Sequence, residues 1–280
     1  MDYKILKGIF PDRRPAPKGW GSDVAGTVSE IGSAVTRFKV GDEIFADAIA
    51  CSPMAEYCLL PEFLASLRPT SLSPVEAATI PLAGLTALQA LRDHGQLVSG
   101  GRVCIFGGSG GVGSLAIQIA KNLGASHVAT TSTNEALCKE LGADQVINYR
   151  NEDVGVVLAG GNFDVVFDAV GGSAYWKAAR KIVAAKGIFV TIAGDGGGMA
   201  KTMSRAIWRK FKSNFGGTSY QIFLTRNGHV DLDILAKFVE EGKLKPTLDG
   251  EPFKFGDEGI RAMLEKLMGG RTKGKLTMTM

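Results

Sequence analysis

The run Val103-Cys-Ile-Phe-Gly-Gly-Ser-Gly-Gly-Val-Gly-Ser-Leu-Ala-Ile-Gln-Ile-Ala-Lys121 constrains this chain more than any other segment. It reads as a buried strand, a glycine-rich turn and the opening of a helix. Gly108, Gly110 and Gly113 give G-x-G-x-x-G at the point where strand becomes helix. Such a turn lets main chain come close to a pyrophosphate, with helix N–H groups and the helix dipole facing the negative charge. The spacing alone is weak evidence. The strand before it and the helix after it supply the context that gives it meaning.

That context extends from residue 102 to 192. Strands are predicted at 102–106, 127–131, 145–148, 163–167 and 187–192. Between the first two lies a helix whose Val112, Leu115, Ala116, Ile119 and Leu123 share a face, and which Gly124 ends. The next helix is predicted from Ser132 to Leu141, stopping at Gly142. Alternation of this kind means βαβ units and a parallel sheet covered on both faces. With the fingerprint in its first βα turn, the block reads as a doubly wound dinucleotide domain.

The flanks are different. Residues 23–60 read as short strands and turns, with Gly21, Gly26, Gly32 and Gly41 punctuating Val24, Val28, Ile31, Val35 and Ile44. Leu72 to Leu91 turns helical behind Ser73-Pro74-Val75-Glu76, which combines an N-cap, a first-turn proline and a capping-box glutamate. Further helices are predicted at 231–241 and 257–268, and the tail from Lys275 to Met280 alternates with period two, as a half-buried strand does. The α/β block is therefore expected as an insertion: residues 85–223 form it, within a discontinuous β-rich domain made of 1–84 and 224–280.

Composition excludes several classes. A net charge of +4 is too mild for nucleic acid and suits an anionic cofactor. The four cysteines, Cys51, Cys58, Cys104 and Cys138, show no C-x-x-C spacing, so a reduced compartment is expected and a structural zinc site is not. No apolar run reaches membrane-spanning length. Met1 is followed at once by Asp2-Tyr3-Lys4, so no targeting signal is visible, and the expected place is the cytoplasm or an organelle, plastid or mitochondrion.

The end of the second strand speaks to the cofactor. An NAD-binding unit places Asp or Glu there to bind the ribose 2′-hydroxyl. Here it reads Val128-Ala-Thr-Thr-Ser-Thr-Asn134, with no carboxylate until Glu135. Hydroxyls in place of a charge that would repel a 2′-phosphate favour NADPH. Ser132 and Thr133 carry a second reading, as caps of the following helix with Glu135 as capping-box partner. Tyr149, Arg150 and Arg271 are further candidates for the same phosphate.

Larger signatures accompany these. Gly21-Ser-Asp-Val-Ala-Gly-Thr-Val28, Val35-x-x-Phe-x-x-Gly-Asp42, Ala55-Glu-Tyr57 and Ala77-Ala-Thr-Ile-Pro-Leu-Ala-Gly-Leu-Thr-Ala87 resemble those of the medium-chain dehydrogenase/reductases. The resemblance is to the zinc-free quinone oxidoreductase branch, zeta-crystallin-like, and within it to the chloroplast-envelope quinone oxidoreductase and alkenal reductase group. It runs from Asp2 to the last strand. It implies a Rossmann domain inserted in a GroES-like catalytic domain, with hydride transfer from NADPH to a quinone or to the β-carbon of an enone or enal. It also implies roles. Gly108, Ser109, Gly110, Gly111, Val112 and Gly113 hold the pyrophosphate. Ser132, Tyr149 and Arg271 lie near the 2′-phosphate, with Ala136 where the family usually has lysine. Val170 and Gly171, Ile192, Ala193 and Gly194, and Thr86 border the nicotinamide. Tyr3 lines the substrate cleft. Zinc-dependent members carry Gly-His-Glu and a cysteine cluster, whereas this chain reads Trp20-Gly-Ser-Asp23 and scatters His94, His127 and His229, so no metal is expected.

Other expectations stay open in kind. Tyr3 reads as the proton donor or as an ordinary half-buried aromatic, with solvent as the alternative donor. The family's opening strands are absent before Asp2, so the chain reads as N-terminally truncated, with unpaired sheet edges in the small domain. A non-catalytic NADPH-binding protein is therefore the alternative to an enzyme. Residues 199–213 carry Met203, Ile207 and Phe211 four apart among Lys201, Arg205, Arg209, Lys210 and Lys212. They read as a helix with a solvated charged face, or as a contact of 201–212 with an anionic membrane. Asn214–Phe223 reads as an edge strand that pairs with its copy in a homodimer.

Overall fold

The computed structural model describes residues 20–194, 199–213 and 218–280. Tyr3 and the ends of the segment 195–217 lie outside the described residues. The chain divides into two compact units, one of Met1–Leu85 with Arg226–Met280 and one of Thr86–Thr225.

The first unit contains a three-stranded antiparallel sheet, β1 (Asp23–Thr27), β2 (Glu43–Asp47) and β3 (Ala65–Leu67), in that order. Ile44, Ala46 and Ala65 form a small core, against which Val24, Val28, Phe38 and Leu60 pack. Asp23 stands opposite Asp47 in the β1–β2 register. The Asp23 carboxylate takes Lys275 Nζ at 2.5 Å and the amide of Leu82 at 2.6 Å, tying the tail to this sheet. Asp47 is buried, and its Oδ2 has no hydrogen-bond partner. Burial, then the facing Asp23 charge, pushes the Asp47 carboxyl up to about 7.

The predicted helix over Leu72–Leu91 is broken in two. Ser73 and Glu76 make the capping box, but α1 spans only Pro74–Ala77. Pro81, which has no N–H for the preceding turn, restarts it as α2 (Pro81–Gln89). Later in the chain come α8 (His229–Glu240), α9 (Asp257–Met268) and the short parallel pair β10 (Phe253–Lys254) and β11 (Met278–Thr279). Only the last part of the predicted tail strand is regular. A Cβ on Gly84 would stand 2.8 Å from Leu235, so glycine there lets α2 and α8 approach closely.

The second unit is built on six parallel strands ordered β6-β5-β4-β7-β8-β9. They are β4 (Arg102–Phe106), β5 (His127–Thr131), β6 (Gln145–Ile147), β7 (Phe163–Asp168), β8 (Val183–Thr191) and β9 (Ser219–Ile222). The order reverses beside β4, which is where doubly wound sheets open a crevice at their carboxyl ends. Val103, Cys104, Ile105 and Phe106 are all buried, as a strand covered on both faces requires. Helix α3 (Gly111–Asn122) buries Leu115, Ala116, Ile119 and Ala120. Helices α4 (Glu135–Glu140), α5 (Val154–Val157) and α6 (Ser173–Ile182) follow in turn. Trp176 of α6 meets Phe189 and Tyr220 edge-on at 5.1 and 5.2 Å.

Two expectations are corrected here. Helix α4 starts at Glu135, because Asn134 caps it by accepting from the Leu137 amide at 3.4 Å. Ser132 is therefore no helix cap, and the Ser132–Glu135 box does not form. In α7 (Met199–Ser213), the exposed side carries large apolar residues as well as charge: Met203, Ile207, Trp208 and Phe211 are exposed beside Lys210 and Lys212, while Ala206 is buried.

Candidate functional site

The carboxyl ends of β4, β5, β7 and β8 converge on one edge of the second unit. At the end of β4, Gly107 takes a left-handed φ of 86°, so a side chain there would be strained. A Cβ on it would also lie 2.6 Å from Val170. A Cβ on Gly113 would fall on the Gly107 carbonyl, and one on Gly108 on the Thr130 hydroxyl. Glycine at 108 and 113 is thus a packing requirement of the turn. Around Gly110 there is room, with the nearest atom 3.4 Å from a built Cβ. The amides of Gly111, Val112 and Gly113 open α3 and have no acceptor within the helix. Ser109, Gly110, Gly111 and Val112 are half-exposed, so this cradle faces solvent.

Threonines lock the cradle to β5. Thr131 accepts the Gly107 amide on its hydroxyl at 3.0 Å and the Gly108 amide on its carbonyl at 3.0 Å. Thr130 Oγ1 donates to the Ile105 carbonyl at 2.7 Å. One residue on, Ser132 Oγ donates to Ser109 Oγ at 2.8 Å and accepts the Asn134 amide at 2.9 Å. Two hydroxyls therefore meet at the end of β5, where a carboxylate stands in other dinucleotide folds.

The other side is held by Asp168, the last residue of β7. Its Oδ1 accepts the amides of Val170 and Gly171 at 3.0 and 2.8 Å, and its Oδ2 accepts the Thr191 hydroxyl at 3.2 Å. Thr191 Oγ1 accepts the Ala193 amide at 3.1 Å, and Gly172 N donates to the Gly194 carbonyl at 3.1 Å. Gly171, at φ 91°, is packed so that a Cβ would sit 2.7 Å from Ala193. The segments 170–172 and 192–194 are laced into one surface.

Most residues selected from sequence fall on this edge: Gly108 to Gly113, Ser132, Val170, Gly171, Ile192, Ala193 and Gly194, with Tyr149 exposed beyond β6. Thr86 is buried in the same unit, its hydroxyl 2.7 Å from that of Thr225. Arg271 belongs to the first unit, exposed after α9. Sequence reading took Gly107 only as the first residue of the turn, and passed over the two threonines, Asp168 as a clasp, and Tyr175. The Tyr175 ring lies 4.7 Å from Phe106, and burial pushes its phenol up, with Asp168 and Tyr149 adding to the shift. The signal for Gly107 was a fourth glycine directly before the motif.

Among the described residues, no group of three or more His, Cys, Asp or Glu is placed to hold a metal ion. Cys104 and Cys138 are buried, and burial pushes both thiols up, away from the thiolate a metal needs. The glycine turn fits a dinucleotide, through the free helix amides and the glycine packing that leaves main chain bare.

Comparison with known proteins agrees with this geometry. The family described as "Alcohol dehydrogenase GroES-like domain" matches residues 1–69, and "Zinc-binding dehydrogenase" matches residues 141–277. The chain is 37% identical to 2-methylene-furan-3-one reductase of Solanum lycopersicum, over 99% of this chain and 68% of the relative. It is 35% identical to the chloroplastic NADPH-dependent alkenal/one oxidoreductase of Arabidopsis thaliana, over 91% of this chain and 63% of the relative. Escherichia coli quinone oxidoreductase, solved in complex with NADPH, superposes with a TM-score of 0.81 at 26% identity, over all of this chain and 87% of that one. The chain belongs to the medium-chain dehydrogenase/reductase superfamily, alongside its quinone oxidoreductases and alkenal reductases.

Proposed function

We propose that this chain is an NADPH-dependent, zinc-independent oxidoreductase that reduces a quinone or an α,β-unsaturated carbonyl, an enone or enal. The observation that carries the cofactor half is the Ser109–Ser132 hydroxyl pair at the end of β5. Hydroxyls there can donate to a 2′-phosphate, which a carboxylate would repel. The Arabidopsis and Escherichia coli relatives, NADPH-linked by name, support the same reading.

When bound, NADPH supplies the hydride. The amides of Gly111, Val112 and Gly113 take the pyrophosphate at the start of α3. Ser132 and Tyr149 are the residues of the second unit assigned to the 2′-phosphate. The Asp168 clasp presents Val170, Gly171, Ile192, Ala193 and Gly194 as the surface against which the nicotinamide lies, and Thr86 is assigned to the same ring. Placement and exclusion of water are most of what a hydride transfer asks of side chains. With hydride delivered to the β-carbon of an enone, Tyr3 or solvent would return the proton to the enolate. β9 lies at the edge of its sheet. A second copy pairing there across a two-fold axis would make a homodimer. The Arabidopsis relative is chloroplastic by name. An organelle or the cytoplasm is the proposed compartment.

An NADPH-oxidation screen over quinones and short and long enals tests this, alongside calorimetry with NADPH and NADH. Acceptor-dependent oxidation with tighter NADPH binding is expected. NADPH binding without turnover would leave a non-catalytic cofactor-binding protein. Tighter NADH binding would overturn the reading of the serine pair.

A further inference from the structure

Helix α7 is turned the unusual way round for a helix beside a sheet. Its inner side holds Ala206 and a cation: the Arg209 guanidinium lies 4.8 Å over the Trp176 ring and 5.3 Å over Tyr220. Its outer side holds the large apolar residues. Met203 is 50% exposed, Ile207 65%, Trp208 57% and Phe211 53%. The spacing 203–207–211, with 208 beside it, makes one contiguous face. Trp208 and Phe211 stack at 6.1 Å, and Lys212 Nζ lies 5.3 Å over the Trp208 ring. At 100° per residue, Lys210 and Lys212 fall on opposite borders of that face, and both are exposed. The helix carries five Lys and Arg, at 201, 205, 209, 210 and 212, and no Asp or Glu.

We propose that this face docks on an anionic lipid surface. Ile207, Trp208 and Phe211 enter the headgroup–acyl boundary, and the bordering lysines meet lipid phosphates. The charge decides between occupants. A second copy of the same helix would set lysine against lysine, whereas an anionic bilayer satisfies the apolar strip and the cations together. Tryptophan and phenylalanine with flanking lysines suit a helix lying in the interface plane. No helix among the described residues is long and apolar enough to cross a membrane. The inference stands apart from the redox reading, since neither the serine pair nor the glycine cradle enters it.

Sedimentation of the full chain with vesicles tests it, comparing phosphatidylcholine alone with phosphatidylcholine mixed with phosphatidylglycerol. Binding is expected to the mixed vesicles only, weakening as salt is raised. Lys210→Ser and Lys212→Ser should each weaken it about fivefold. The pair Ile207→Ser with Trp208→Ser should weaken it at least about tenfold, each losing buried apolar area. A blue shift of tryptophan emission on binding should vanish in Trp208→Phe while sedimentation persists. Should the serine pair fail to fold, the lysine variants and the emission readout still decide. Absence of binding to anionic vesicles, or binding that none of these substitutions alters, overturns the proposal. So does loss of a dimer in Ile207→Ser without any vesicle binding, which would assign the face to a second copy.

Discussion

Ser132 donates its hydroxyl hydrogen to Ser109 across 2.8 Å, joining the end of β5 to the turn before α3. The contact leaves two oxygens side by side with no negative charge on either. A carboxylate at this place changes the sign of the local field. In Ser132→Asp, NADPH binding is expected to weaken by about 2 kcal/mol, near thirtyfold, while NADH binding holds or tightens. Ser109→Ala should cost NADPH about 1 kcal/mol, as loss of one neutral hydrogen bond does. Calorimetric dissociation constants for both cofactors check both variants.

Gly113 and Gly110 make a matched pair. A methyl at 113 lands on the Gly107 carbonyl, and a methyl at 110 makes only an ordinary contact with it, at 3.4 Å. Gly113→Ala is expected to destabilise the chain by about 2–3 kcal/mol through a forced backbone shift, and Gly110→Ala by under about 1 kcal/mol. Urea unfolding with an unchanged m-value would report it. A Gly113→Ala midpoint equal to that of the unaltered chain would show that the turn moves freely.

Removing the Asp168 side chain takes the acceptor from the part-buried Val170 and Gly171 amides and leaves the buried Thr191 hydroxyl only the Ala193 carbonyl, at 3.0 Å. Asp168→Ala should cost about 2–4 kcal/mol of stability. Asp168→Asn keeps one acceptor for the two amides and should cost less. NADPH affinity is expected to fall in the same order, read by fluorescence titration.

Asp47 predicts a pH dependence. Its folded carboxyl, pushed up to about 7 by burial and by Asp23, sits above the ordinary value of 3.8. The folded state therefore holds more protons than the unfolded one between those values. Stability is greatest at the acid end of that window and falls as pH rises from about 4 to 7, levelling above. Asp47→Asn, which cannot ionise, should flatten this fall and be the more stable form at pH 8, by on the order of 3 kcal/mol. Thermal midpoints of the two proteins across that range would show it. Parallel curves would refute it.

The α/β block was legible because its signals are local. Buried strands such as Val103–Phe106 read as unbroken apolar runs, and Gly124 and Gly142 mark the ends of their helices. What escaped was relational. Pro81 interrupts a helix that periodicity alone continues from Leu72. Asn134, rather than Ser132, caps α4 because Ser132 is engaged with a turn 23 residues earlier. Helix α6 begins behind Gly172 without a polar cap, so it gives no start signal. Asp168 could be placed at a strand end from sequence, but not as an acceptor for three groups. In α7 the four-residue spacing of Met203, Ile207 and Phe211 is the mark of a buried stripe, and no local signal shows that Arg209 takes the inner side.

The Asp168 clasp also has a mechanical meaning. Val170 and Gly171 hang from one oxygen of a carboxylate whose other oxygen holds Thr191, and Thr191 in turn holds Ala193. A push on either strip is delivered to the other through a single rigid plane of atoms. The surface they form thus tilts as one plate, and cannot crumple on one side while standing firm on the other.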